Sequence, residues 1–193
     1  MISLNLVKQL RESTGAGMLD CQKALEESKG DMNKAVEILR KKGEKIAEVK
    51  QGRSTKEGVV EAYIHSNKKI GVLVELVCET DFVARNEEFK ILAHDLAMQV
   101  AAADPKWLSP AEVPQEVIDK EKEIYKESLP KGKPQAVLDK ILEGKLQTFY
   151  SENCLLKQPF IKDDKIIVED LVKQLIAKLK ENIQVRRFVR FSL

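Results

Sequence analysis

GVVEAYIHSNKKIGVLVELVCE, residues 58–79, decides the fold class of this chain. Two runs rich in β-branched residues, VVEAYIH and IGVLVELVCE, flank the polar SNKK, which is the pattern of two antiparallel strands joined by a turn. The second run is almost continuously apolar. Val72, Val74, Leu76 and Cys78 fall on one side and Leu73 and Val77 on the other, as expected where helices cover one face of a sheet and part of the second.

Downstream, the period changes from two to about 3.6. Phe89, Leu92, Ala93, Leu96, Ala97 and Val100 recur at helical spacing between Glu87 and Ala103, with Asn86 as N-cap and Glu87 and Glu88 on the positive helix end. Residues 104–116 hold Pro105, Pro110 and Pro114 and read as a connector. Two further helices are expected at 115–128 and 134–150, with Pro134 at a permitted first-turn position. After a loop around QPFIKDD comes the amphipathic VEDLVKQLIAKLKE. The closing IQVRRFVRFSL has strand composition and is expected to complete a three-stranded antiparallel sheet with the hairpin.

Upstream, residues 43–57 mix charges with two glycines and read as a linker, helical in part. Residues 1–42 read as three short helices. Ser3 caps the first, TGAG at 14–17 breaks it, the second runs from Met18 to Ser28 before Gly30, and Asp31 caps MNKAVEILRKK. The expected architecture is therefore α+β: a three-helix bundle at 1–42, a linker at 43–57, and a core at 58–193 of helices on a small three-stranded antiparallel sheet. A bundle of some 40 residues is marginal alone and suits a docking module.

Composition removes several function classes. With 33 basic and 31 acidic residues the net charge is +2, so no overall basic excess points to nucleic acid. No apolar run is long enough to span a membrane, and MISLNLVKQLREST meets charge too early for a signal peptide, so a cytoplasmic protein is expected. Cys21, Cys78 and Cys154 lie far apart without a CxxC spacing, and the chain has two histidines. Neither a metal site nor a disulfide framework is expected.

Catalytic patterns are missing too: the sequence has no HExxH, GxSxG, GxxxxGK[ST] or GxGxxG. The carboxylates of EVIDKEKEIYKE alternate with lysines, as on a solvated helix face. Arg186, Arg187 and Arg190, set among Phe188 and Phe191, are the best local candidate for binding RNA, and the alternating faces of a strand explain them equally well.

ETDFVARNEEF, residues 79–89, stands apart. From the residues alone two placements are open for Phe82: a staple contact tucked into the domain's own core, or an aromatic anchor standing clear of the loop beside Asp81 to enter a partner.

At these residues the chain resembles a known family. LVKQLRESTGAGMLDCQKAL at 6–25, TDFVARN at 80–86, GKPQAVLDKILEGKL at 132–146, QPFIKD at 158–163 and VRRFVRF at 185–191 closely resemble the elongation factor Ts family, in order and over nearly the whole chain. The resemblance implies a guanine-nucleotide exchange factor in translation, with no chemical step of its own and no cofactor, acting on the GTPase elongation factor Tu. It also implies a ubiquitin-associated-like N-terminal domain. Carried onto this sequence, Asp81 and Phe82 intrude near the partner's magnesium, and Thr80, Val83, Ala84, Arg85 and Asn86 complete the loop. Met18 and Leu19 touch the GTPase domain. Long members carry a duplicated core and a coiled-coil insertion for which this chain has no room, so it resembles the short forms, which pair as homodimers in a two-to-two complex. No cysteine near the C-terminus is placed to lock such a dimer. An adaptor built on the N-terminal bundle and an RNA-binding accessory are the competing readings.

Overall fold

The protein is described by a computed structural model covering residues 2–128 and 134–193. Residues 132 and 133 of the GKPQAVL motif therefore lie outside the described residues. The fold is α+β, with an N-terminal helical bundle and a three-stranded antiparallel sheet. In chain order come α1 (Leu4–Thr14), α2 (Met18–Glu27), α3 (Met32–Lys50), β1 (Glu57–Ile64), β2 (Ile70–Cys78), α4 (Asp81–Ala84) and α5 (Glu87–Ala103). There follow α6 (Gln115–Glu127), α7 (Gln135–Asn153), β3 (Pro159–Phe160), β4 (Asp163–Ile167), α8 (Val168–Leu179) and β5 (Ile183–Ser192). The sheet has the order β1-β2-β5, so the hairpin and the final strand pair as expected.

The helix ends follow local chemistry. Leu6 N–H donates to Ser3 Oγ and Lys34 N–H to Asp31 Oδ1, which satisfies helix-start donors that would otherwise lack partners. Lys29 and Gly30 both take positive φ and turn the chain out of α2. The third helix does not stop at residue 42. It continues to Lys50 through Gly43, where a Cβ would lie 3.1 Å from the Ala177 Cβ. Gly43 thus serves close helix approach, and its weak helix preference is overridden by packing.

The chain divides into two compact units. The first comprises Met1–Val60, Glu75–Ala93 and Asp170–Arg186, the second Glu61–Val74, His94–Glu169 and Arg187–Leu193. In the first, Val7, Leu10, Cys21, Ala24, Leu25 and Ala35 form a buried cluster, with Met18, Ile38 and Leu39 packed against it. This is the stripe expected of three short amphipathic helices.

In the second unit, Val113, Phe149 and Cys154 form a smaller cluster with Trp107 and Tyr150 against it. The segment QPFIKDD, expected as a loop, is instead a short antiparallel pair, β3 with β4. Buried Gln99 accounts for it: its amide donates to Gln158 Oε1 and Pro159 O, and its Oε1 accepts from Ile161 N–H at 2.8 Å. These long-range bonds leave no trace in hydropathy. His94, on α5, meets Glu61 Oε1 at 3.0 Å and the edge of the Tyr63 ring.

Candidate functional site

The site begins where β2 ends. Val72, Val74, Leu76 and Cys78 are fully or almost fully buried, so the strand is fixed up to the residue preceding ETDF. The stretch read as a loop contains one helical turn, α4, in which Val83 and Ala84 are buried and Phe82 is 80 % exposed. Consecutive residues of a single turn point to different sides, so the two buried ones tether the turn while Phe82 projects into solvent. The staple placement of Phe82 is therefore not adopted.

Its neighbours are held by named partners. Asp81 Oδ2 pairs with Arg85 Nη2 at 3.0 Å on the surface, one turn apart. An exposed pair of this kind adds little stability, on the order of 0.5 kcal/mol. Asn86 Oδ1 accepts from Glu88 N–H at 2.8 Å and so caps α5, as expected. Thr80 lies at the start of α4, yet its side chain caps nothing: its hydroxyl donates to Glu181 Oε1 at 2.6 Å and its N–H to Glu181 Oε2 at 3.0 Å.

Beneath the turn lies a second set of polar contacts. Glu79 Oε1 accepts from Asn182 N–H at 2.7 Å, and its other oxygen lies 3.3 Å from Arg53 Nη1. The Asn182 backbone donor, helped by Arg53, holds the Glu79 carboxyl below the usual carboxylate range. Asn182 is 1 % exposed and its amide donates to the carbonyls of Gln51 and Arg53. Cys78 Sγ donates to Thr80 O at 3.1 Å, and burial pushes its pKa up to about 11, which keeps it a thiol and a donor. Glu79, Glu181, Asn182 and Arg53 were not legible as site residues, because their partners lie 26 to 131 positions away.

In the N-terminal bundle, Met18 and Leu19 open α2. Met18 is partly buried against the helical cluster, whereas Leu19 is 63 % exposed, so Leu19 is the more accessible of the pair. The basic strand is differently disposed. Arg186 Nη1 pairs with Glu75 Oε1 at 2.7 Å, and Arg190 reaches the Ala101 carbonyl and Asp104. The guanidiniums of Arg186 and Arg190, both considered for RNA, are thus engaged within the chain. Among the described residues no group of three or more His, Cys, Asp or Glu could hold a metal ion, and no helix is long and apolar enough to cross a membrane.

Comparisons with known proteins agree on one family. The family profile described as "Elongation factor TS" matches residues 5–193. A protein of Thermosipho melanesiensis named "Elongation factor Ts" is 58 % identical over 194 residues, covering 100 % of this chain and 99 % of the relative. Proteins of the same name from Carboxydothermus hydrogenoformans and Thermotoga maritima are each 58 % identical over 100 % of this chain, with 89 % and 96 % of the relative covered. With the profile match spanning nearly every residue and the relatives aligned end to end, the chain belongs to the elongation factor Ts family.

Proposed function

We propose that this chain is a guanine-nucleotide exchange factor of translation elongation that acts in the cytoplasm on elongation factor Tu, entering its magnesium and nucleotide region with the Asp81–Phe82 turn. The observation that carries this reading is the 80 % exposure of Phe82 on a turn whose next two residues are buried. An aromatic side chain that its own core leaves out, on a fixed base, is the residue type of an interface anchor.

The energetics suit exchange without chemistry. Burying a phenylalanine of about 200 Å² at about 25 cal/mol per Å² gives at most about 5 kcal/mol. Realised only in the nucleotide-poor complex, an energy of that order would weaken nucleotide binding by about three decades. Reciprocity then has nucleotide expel the factor through the same coupling. In this reading Asp81 disturbs the hydrogen bonds that support the partner's magnesium, and Thr80, Val83, Ala84, Arg85 and Asn86 shape the turn. Residues 1–42 dock separately through Met18 and Leu19, joined through residues 43–57 to the core at 58–193.

The same reading includes a homodimer. Ile64, Leu73, Val189 and Phe191 are exposed on strands of the sheet, and the Ile64 Cδ1 lies over Gly71, where an added Cβ would stand 3.2 Å away. An apolar sheet surface of this kind supports a second copy as its cover, giving a two-to-two complex.

Stopped-flow release of a fluorescent GDP analogue from elongation factor Tu tests the proposal. The intact chain is expected to accelerate release and Phe82→Ala, of verified fold, to lose most of that acceleration; equal release with and without the intact chain would refute exchange activity.

A further inference from the structure

The residue that grips the Phe82 turn through Thr80 stands 101 positions from that threonine in sequence. Glu181 presents both carboxylate oxygens to Thr80, one to the hydroxyl at 2.6 Å and one to the N–H at 3.0 Å. A threonine at a helix start ordinarily turns its oxygen onto the helix's own N–H groups, and here that local bond is given up for the distant carboxylate.

Glu181 is itself fixed on both flanks. Before it, Lys180 adopts φ +60° and donates its N–H to Ile176 O, which ends α8 and turns the chain sharply. After it, Asn182 is buried, donates its backbone N–H to Glu79, and is tied to the carbonyls of Gln51 and Arg53. The carboxylate therefore has little freedom to leave Thr80. Phe82, at 80 % exposure, has almost no packing of its own, so its direction is set by the backbone of the turn it stands on.

We propose that Glu181 is a positioning residue for nucleotide exchange, acting through Thr80 to hold Phe82 in the orientation that enters the partner. This rests on the loop-insertion reading above. Its physical content is pre-organisation: a turn already ordered before contact does not lose that freedom on binding, and small misplacements of an inserted group weaken its effect steeply.

A double-mutant cycle separates positioning from a general contribution to the fold. Release of a fluorescent GDP analogue from elongation factor Tu is measured with the intact chain, Glu181→Ala, Phe82→Ala and the double variant, and Tm is measured alongside. Glu181→Ala is expected to lower the acceleration about tenfold, as for loss of hydrogen bonds to a charged group, yet to have almost no further effect once Phe82 is gone. Its Tm loss is expected to be the same in both backgrounds. Glu181→Gln keeps the shape and both hydrogen-bonding positions, with its oxygen on the Thr80 N–H and its amide on the hydroxyl, but loses the charge; it should fall between, and it carries the cycle should the alanine variant not fold. An unchanged rate in Glu181→Ala, or an equal loss in both backgrounds, overturns the positioning role while leaving Phe82 as the wedge. Full activity of Phe82→Ala overturns the insertion reading, and the positioning role with it.

Discussion

Gly58 and Leu76 face each other across β1 and β2 with no room for a side chain between them: a Cβ at Gly58 would fall onto the Leu76 carbonyl oxygen and within 2.8 Å of the Val77 Cα. Backbone atoms cannot swing aside as a long side chain can. Gly58→Ala is therefore expected to cost about 3 kcal/mol of stability, read as a lower denaturant midpoint at unchanged slope. A midpoint within experimental scatter of the parent would contradict this close approach.

Phe82→Ala should leave stability within about 0.5 kcal/mol of the parent, because little buried surface is removed from a side chain that is 80 % exposed. Val83, one residue on and 9 % exposed, behaves oppositely: Val83→Ala is expected to cost about 1–2 kcal/mol. Thermal melts of the two variants side by side check the inside and outside assignment of the turn. Equal losses would mean that Phe82 packs in solution.

The sheet face predicts the state of association. Phe191→Glu places a charge on an exposed apolar strand position, with little cost to a monomer and a severe one to a pair of packed sheets. Sedimentation velocity should show a dimer for the parent chain and a monomer for the variant. A monomeric parent chain would remove the dimer from the proposed function.

The thiols predict the alkaline limb. Cys78 and Cys154 have pKa values pushed by burial from 9.0 to about 11, and Cys21 is raised as well. A raised pKa means that the folded chain holds the proton more tightly, so this contribution to stability is complete below pH 9 and is lost as pH rises from 9 toward 11. Native protein at pH 8 should react with a thiol reagent far more slowly than the unfolded chain, in which all three cysteines respond. Rapid labelling of one native thiol would place it at the surface.

Glu79 predicts the acid limb with the opposite sign. Its pKa is lowered from 4.5, chiefly by the Asn182 N–H, so its contribution is present above pH 4.5 and is lost as pH falls through the lowered value. Glu79→Gln should flatten the stability profile below pH 4.5. An unaltered acid limb would show that the carboxylate contributes nothing there.

Much of this architecture was legible in residue order. The apolar run at 70–78, the caps Ser3, Asp31 and Asn86, and the period of α5 are local signals, and each element they announce is present. The misses are non-local. The partial helicity of 43–57 was legible, but that it continues α3 through Gly43 against Ala177, and that β3 pairs with β4 around buried Gln99, rest on contacts that neither propensity nor period encodes. At the site, TDFVARN stood out as a stretch, yet the exposure of Phe82 and the grip of Glu181 on Thr80 depend on tertiary placement.

The bonds joining Glu79 and Thr80 to residues 181 and 182 also set an order of events during synthesis. Translation runs from the N-terminus, and contacts this far apart in sequence form late in folding. A nascent chain that ends before Glu181 has already exposed Phe82 but has nothing to brace it. Under the loop-insertion proposal, the turn is therefore braced only once residues 181 and 182 have been made, about a hundred positions after Glu79 and Thr80.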